Sequence, residues 1–188
     1  LELDDFEEEF YADDISGQPI ENLVPDYNIL DQIDYQYPVH DAYFLYGTRG
    51  CIRKCKFCGV PKLEGDMFDM PDISMMIEDI IKHHGEKKDL IMMDNNVVAS
   101  SKFNDIIAQA IDLGFEKGAT INRNGKDIKR RVDFNQGVDA RILVKSDNYL
   151  KSIGRLCIDP LRIAFDHLGV KKHYDKSVRM ASEFGIEK

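Results

Sequence analysis

The sequence predicts an α/β protein built from four parallel βα units. Four short apolar runs begin near residues 43, 89, 132 and 161, and a segment with helical periodicity follows each of them. Strands that alternate with helices form parallel sheets with right-handed crossovers. The series therefore predicts an incomplete (β/α) barrel, half of an eight-unit one, or most of a small open sheet.

The first unit runs from residue 42 to residue 85. Its strand is predicted at Tyr43-Phe44-Leu45-Tyr46, which ends at Gly47 and leads into a group of cysteines. The following helix carries apolar residues at intervals of three and four, namely Ile73, Met76, Ile77, Ile80 and Ile81. Asp72 or Ser74 is the expected N-cap and Gly85 the expected end of this helix.

The second unit begins with the apolar run Leu90-Ile91-Met92-Met93, which ends in polar residues. Its helix is predicted from the apolar residues Phe103, Ile106, Ile107, Ala110 and Ile111. Ser100 or Ser101 precedes this helix as a candidate cap, and Gly114 follows it.

The third and fourth units are shorter. Asn124-Gly125 predicts a hairpin turn before a third strand at residues 132–134, which ends near Gly137. A helix is predicted through Leu150, Ile153 and Cys157, followed by a fourth strand at residues 161–165 and a helix bearing Tyr174, Val178 and Ala181. We interpret Cys157 as a buried free thiol on the apolar face of its helix.

The negative charge is concentrated at the N-terminus. The formal net charge is -9, yet residues 1–41 hold 13 of the 34 acids, and no Lys or Arg occurs in residues 1–48. Residues 42–188 therefore hold 21 acids and 25 bases. We interpret residues 1–41 as an acidic leader or linker and residues 42–188 as a separate folded part of the chain.

Composition excludes several classes of protein. No apolar run approaches the roughly 20 residues of a membrane span, so no membrane contact is expected. Four cysteines are too few for a disulfide scaffold, and the N-terminus lacks a signal-peptide pattern. We expect a reducing, cytoplasmic setting.

Three cysteines form the sequence feature with the clearest chemistry. Cys51, Cys55 and Cys58 have C-x3-C-x2-C spacing on the loop after the first strand. Three thiolates can hold three corners of a [4Fe–4S] cluster and leave the fourth iron open. Structural zinc usually takes four ligands, and the fourth cysteine, Cys157, is distant in the sequence. A non-catalytic iron–sulfur or zinc-binding module remains an alternative.

The segment from Gly47 to Cys58 resembles the cluster loop of the radical S-adenosylmethionine superfamily, whose C-x3-C-x-aromatic-C motif follows the first barrel strand. Phe57 supplies the aromatic residue. The flanks resemble the branch that includes methylthiotransferases and enzymes with a cobalamin-binding-type domain. The resemblance implies a [4Fe–4S] cluster on the three cysteines and an S-adenosylmethionine cofactor. Reductive cleavage of that cofactor would give methionine and a 5′-deoxyadenosyl radical that modifies an unknown substrate.

The resemblance also implies partners. The cluster would receive its electron from a donor such as flavodoxin or ferredoxin, and any cobalamin domain would precede Leu1. Because the family core usually has six βα units, the resemblance implies that residues 42–188 are a partial radical S-adenosylmethionine core. We expect the chain to be a fragment or to be completed by another chain.

Cofactor-binding positions follow from the resemblance and from the rule that barrel sites lie at the carboxyl ends of strands. The candidates are Phe57, Asp94, Asn95, Gln136, Arg141 and Asp166. Phe57 would pack against the adenine, and Asp94-Asn95-Asn96 replaces the Gly-Gly-Glu that contacts the methionine amino group in the family. Gln136, Asp139 and Arg141 would meet the methionine carboxylate or the substrate, and Asp166 the ribose. Each polar candidate could instead cap a helix or form an ion pair, and Phe57 could instead be an apolar residue that anchors the loop.

Basic residues leave RNA binding as a third hypothesis. They form two clusters, Arg49/Arg53/Lys54/Lys56/Lys62 and Lys117/Arg123/Lys126/Lys129/Arg130/Arg131. Either could contact phosphate, although no aromatic residues interleave the second cluster. Solvated charge that balances the acidic leader is the favoured interpretation.

Overall fold

The computed structural model describes residues 23–186. Residues 1–22 of the predicted leader lie outside the described residues. The strands are β1 (Ala42–Leu45), β2 (Thr48–Arg49), β3 (Phe68–Asp69), β4 (Asp89–Met92), β5 (Thr120–Arg123), β6 (Lys126–Lys129), β7 (Val132–Phe134), β8 (Val138–Asp139) and β9 (Ile163–Ala164). The α-helices are α1 (Val60–Leu63), α2 (Ile73–His84), α3 (Phe103–Ala110), α4 (Ala140–Leu143), α5 (Asp147–Ile153) and α6 (Lys171–Glu183).

A parallel sheet of order β1-β4-β7 forms the centre of the molecule. Leu90 of β4 pairs with Tyr43 on one side and with Val132 on the other. Every residue of β4 is buried, as expected for a strand covered on both faces. The α/β class with parallel strands is therefore confirmed.

The fourth strand departs from the prediction, and a four-unit barrel is not confirmed. Only Ile163 and Ala164 of the predicted segment form a strand, and they pair with β8 rather than β7. Ile158 makes an isolated parallel bridge to Val132 at the start of β7.

The first two predicted helices are confirmed, and α2 has its predicted ends, whereas α3 ends at Ala110 and has Lys102 at its N-cap position. Asp72 caps α2 by accepting from the Ser74 backbone N–H at 2.7 Å, and Gly85 ends it with φ 73°. Ser100 Oγ accepts from the Lys102 N–H at 2.9 Å before α3. After α3 the chain forms one π-helical turn in which Gly114 has φ 82°.

Two helix predictions require correction. α5 ends at Ile153, so Cys157 lies on an extended segment beyond the helix and donates its N–H to Phe115 O at 3.0 Å. Burial raises the pKa of the Cys157 thiol to about 11. In α6 the buried residues are Ser177, Met180 and Ala181, while Val178 is 38% exposed.

The predicted hairpin is confirmed, as β5 and β6 pair in antiparallel register around Asn124 and Gly125, both with positive φ. The described part of the predicted leader, in contrast, packs against the sheet. Tyr27 is buried, and its hydroxyl accepts from the Phe44 N–H of β1 at 2.9 Å. Burial raises the pKa of Tyr27 to about 12.

The core lies between the central sheet and the helices. Its largest fully buried side chains include Tyr43, Phe115, Ile107 and Leu150. Among the helices within residues 23–186, none is long and apolar enough to cross a membrane.

Candidate cofactor site

The cysteine loop lies at the carboxyl edge of the parallel sheet. β1, β4 and β7 all end at this edge because parallel strands share one direction. The loop and the residues that follow β4 and β7 enclose a cavity of about 190 Å³. Its lining includes all three cysteines together with Phe57, Asn95, Gln136, Arg141 and Asp166.

The three thiols are free and half-buried. The Cys58 N–H donates to Cys55 O at 3.1 Å, which folds the second half of the motif into a turn. Cys51 Sγ accepts from the Arg53 N–H at 3.4 Å. Within residues 23–186, no group of three or more His, Cys, Asp or Glu side chains is arranged to hold a metal ion.

Asp94 lies behind the cavity rather than in its lining. Its carboxylate accepts from the Gly47 N–H at 3.1 Å and from the Thr48 hydroxyl at 2.7 Å, and it also accepts from the Thr48 N–H. Asp94 is only 4% exposed. Burial raises its pKa to about 6, against these hydrogen bonds, which lower it. The expected contact of Asp94 with a cofactor amino group does not fit this position, because its oxygens are occupied by the turn before the cysteines.

Glu64 supports the same turn from the other side. Its Oε2 accepts from the Gly50 N–H at 2.7 Å, from Arg49 Nε at 3.2 Å and from Asn95 Nδ2 at 2.8 Å. The sequence analysis did not single out Glu64, because a Glu after a short helix has no distinguishing local pattern. Asn95 therefore both lines the cavity and helps to hold Glu64 in place through this hydrogen bond.

An ion-paired bridge spans one wall of the cavity. Asp139 Oδ2 accepts from Arg53 Nε of the cysteine loop at 2.8 Å. Asp139 Oδ1 accepts from Arg141 Nε at 2.8 Å, and Oδ2 also accepts from Arg141 Nη2 at 3.1 Å. Burial raises the pKa of Asp139, but hydrogen bonds from Arg141 and Arg53 outweigh it, so the pKa is lowered overall. Asp139 is thus paired within the protein rather than free to meet a ligand.

The remaining candidates lie around the mouth of the cavity. Phe57 is 66% exposed, so most of its ring is open to solvent and available to a ligand. Gln136 and Asp166 are exposed, one after β7 and the other after β9. All three could contact a ligand without breaking a hydrogen bond that the structure gives them.

Asn96 is a further site residue that the sequence analysis did not single out. Its Nδ2 donates to Cys51 Sγ at 3.7 Å. Its Oδ1 is buried and has no hydrogen-bond partner within the described residues. A buried acceptor without a donor is costly, and such groups often mark functional sites.

The residues of the cavity suit an iron–sulfur cluster in their chemistry. Three thiols face one space, and two guanidinium groups stand against one carboxylate beside them. Thiolates are the usual ligands of such clusters, and nearby cations would offset the cluster's negative charge. The unpaired Asn96 oxygen shows that the polar groups of this wall are incompletely satisfied.

A larger cavity, of about 560 Å³, lies near the amino ends of the strands. Its lining includes Tyr27, Tyr35, His40, His84 and Lys87. It contains no cysteine and none of the residues that the resemblance implicates. Size alone therefore does not identify the site, and the chemistry favours the smaller cavity.

Comparison with known proteins confirms the resemblance to the radical S-adenosylmethionine superfamily. The relatives are methylthiotransferases of that class, and in particular proteins named ribosomal protein uS12 methylthiotransferase RimO. The chain is 31% identical to the protein of Chlorobium limicola over 96 residues, which is 47% of this chain and 22% of the relative. It is 28% identical to the protein of Vibrio cholerae over 127 residues, which is 65% of this chain and 24% of the relative.

A third such protein, from Chlorobaculum tepidum, is 31% identical over 94 residues, or 46% of this chain and 21% of the relative. The chain thus spans between a fifth and a quarter of the length of the curated relatives it matches. No protein-family model matches the chain.

Proposed function

We propose that this chain carries the cluster-binding and S-adenosylmethionine-binding part of a radical S-adenosylmethionine enzyme. The observation that carries the proposal is the convergence on one cavity of three thiols and five of the six implied cofactor positions. These residues come from four separate segments that lie far apart in the sequence. They meet because parallel strands end at the same edge of a sheet, and barrel enzymes have their active sites at that edge.

In this proposal Cys51, Cys55 and Cys58 hold the cluster through three of its irons. When bound, the reduced cluster would supply the electron that cleaves the sulfonium of S-adenosylmethionine, yielding a 5′-deoxyadenosyl radical. The half-buried position of the three thiols gives the loop one side on the protein and one side open to a ligand.

The protein's own residues bind and orient the cofactor. Phe57, at the mouth of the cavity, would cover the adenine and exclude water from it. Arg141 and Gln136 would bind the methionine carboxylate, and Asp166 would accept from the ribose hydroxyls. Asp94 is left out of this set, because its carboxylate holds the turn that leads into the cysteines.

The relatives suggest the class of reaction. They are named for methylthio transfer to ribosomal protein uS12, and we propose methylthio transfer as the reaction class for this chain. The group transferred and the acceptor would be recognised by parts of the site beyond the cluster loop.

Cluster assembly tests the proposal directly. Anaerobic reconstitution with iron and sulfide should give about four irons per chain. A Cys55→Ser variant should lose this cluster, whereas Cys157→Ser, which changes a half-buried thiol outside the cavity, should keep it. One tightly bound zinc per chain and no iron–sulfur absorption would contradict the proposal.

A further inference from the structure

The bridge from Arg53 to Asp139 joins two parts of the chain that are 86 positions apart. Arg53 lies inside the cysteine motif, between Cys51 and Cys55. Asp139 belongs to β8, which pairs with β9 and leads into α4, and its side chain is 7% exposed. The contact therefore links the cysteine loop to a buried position of the small β8–β9 sheet.

Asp139 also fixes the arginine that follows it. It caps α4 by accepting from the Arg141 N–H at 2.9 Å, while its two oxygens hold Arg141 Nε and Nη2. The Arg141 side chain, 27% exposed, is held in one orientation at the cavity wall. One carboxylate thus holds two guanidinium groups, and the three charges sum to one positive charge beside the cysteines.

We propose that Asp139 is a positioning residue that ties the cysteine loop to the sheet through Arg53 and holds Arg141 over the cavity. This inference rests on the proposed function for its relevance to a cluster, but the tie itself is a property of the metal-free chain. Neither Arg53 nor Asp139 supplies a thiol to the cluster, and both act on the site by holding the cysteine loop and Arg141.

The cysteine loop needs such a contact because little else holds it in place. The cysteine loop has no regular secondary structure between β2 and α1. Two of its other contacts are weaker supports: Lys54 pairs with the exposed Asp66, and Asn96 contacts Cys51 Sγ at 3.7 Å. A charge-assisted hydrogen bond to a buried carboxylate is stronger than an exposed ion pair, which contributes little. Loss of Asp139 should therefore release the loop more than loss of Asp66.

The first test uses the metal-free chain. Trypsin can cleave after Lys54 and Lys56, which are exposed in the loop. Asp139→Asn should raise the rate of native-state cleavage after Lys56 about tenfold, as expected when a charge-assisted hydrogen bond is lost. Asp133→Asn is the matched control, since Asp133 makes a similar paired contact with Arg162 Nε at 2.8 Å but does not reach the loop.

A second variant keeps the test decisive if Asp139→Asn fails to fold. Arg53→Gln changes a side chain that is 31% exposed and should fold, as checked by circular dichroism. It should raise the cleavage rate after Lys56 to the same extent. The double variant should cleave no faster than either single one, because both changes remove the same contact.

The reconstituted chain adds a readout that loss of structure alone would not produce. Arg53→Gln removes a positive charge and should lower the reduction potential of the cluster, whereas Asp139→Asn removes a negative charge and should raise it. Opposite shifts indicate an electrostatic and positioning role, while two shifts of the same sign would overturn it.

Cleavage rates equal to those of the unchanged chain in folded Arg53→Gln and Asp139→Asn would also overturn the tie, as would strictly additive effects. These outcomes are separable from failure of the proposed function. If no cluster assembles, the proposed function fails, but the proteolysis of the metal-free chain still decides whether Asp139 holds the loop.

Discussion

At the scale of single residues, Asp94 holds the approach to the cysteine loop. Its carboxyl group is almost completely buried and bonded to the turn at Gly47 and Thr48. A buried carboxylate is costly because charge is poorly solvated in the interior, and burial raises the pKa of Asp94 to about 6. The same residue that orders this turn therefore makes the stability of the chain depend on pH.

The direction of that dependence follows from linkage. The pKa of Asp94 rises from its ordinary 3.8 to about 6 on folding, so the folded chain binds more protons between these values. The free energy of unfolding should fall by about 3 kcal/mol from this residue as the pH rises from about 4 to 6 and beyond.

Urea unfolding of the unchanged chain and of Asp94→Asn between pH 4 and 7 measures this effect. The difference in the free energy of unfolding between the two proteins should change with pH in that window. A difference that stays constant from pH 4 to pH 7 would contradict the assignment.

Residue-level roles were only partly predictable from the sequence. The three cysteines and Phe57 stand in a spaced motif, so their common location at a strand end could be inferred locally. Asp94 follows a strand in the same way, yet nothing in the sequence distinguishes a carboxylate that faces a cavity from one that turns inward to Gly47. Pairings such as Arg53 with Asp139 depend on strand order and side-chain direction, which local pattern does not encode.

At the scale of elements, the turn from β1 to the cysteine loop depends on close packing with the β2–β3 ladder. Gly50 has φ 69°, and a Cβ at this position would lie 2.4 Å from the backbone oxygen of Asp66. Gly65 also has a positive φ, 73°, but a Cβ there would meet nothing within 4 Å. Alanine at Gly65 would therefore test the cost of a positive φ alone, whereas alanine at Gly50 would add the cost of a close backbone contact.

Alanine at each position should show this separation. Gly65→Ala should lower the free energy of unfolding by about 1 kcal/mol, because alanine is disfavoured at positive φ. Gly50→Ala should lower it by about 3 kcal/mol or more, because a backbone contact must also be displaced. Chemical unfolding of both variants measures the difference, and equal losses would contradict the packing described here.

Helices followed their sequence signals more closely than strands did. α2 begins at the Asp72 cap and ends at Gly85, because capping and a terminal glycine are local physical signals. The buried face of α6 was predicted wrongly, because that face includes Ser177, a polar residue. Its hydroxyl donates to Tyr174 O at 2.9 Å, which satisfies it within the helix. The length of the fourth strand was overestimated, because the apolar composition of residues 161–165 does not show which neighbouring strand is available for pairing.

At the scale of the whole molecule, Tyr27 of the predicted leader packs against the central sheet. Tyr27 is 8% exposed, and its hydroxyl accepts from the Phe44 N–H of β1. Its ring also packs beside His84 at the end of α2, with centroids 5.2 Å apart. The boundary at residue 42 stays a prediction that truncation can test.

Two truncations should locate the start of the domain. Removing residues 1–41 should lower the free energy of unfolding by about 3 kcal/mol more than removing residues 1–22, because the longer truncation also removes the buried Tyr27. Thermal and urea unfolding of the two proteins provide the comparison. Equal stability would contradict the packing of Tyr27 against the sheet.

The architecture around the site was predictable because parallel strands bring their carboxyl ends to one edge. The pairing of β9 with β8 rather than β7 was not, because the apolar composition of residues 161–165 does not encode which strand lies beside it. The central claim is that the cavity at this edge binds both a cluster and S-adenosylmethionine.

Electron paramagnetic resonance of the reduced, reconstituted chain tests that claim most directly. Addition of S-adenosylmethionine should change the spectrum of the cluster, because the cofactor would bind the iron that lacks a protein ligand. The Cys55→Ser variant should give no such cluster signal. A reduced cluster whose spectrum is unchanged by S-adenosylmethionine would contradict the account.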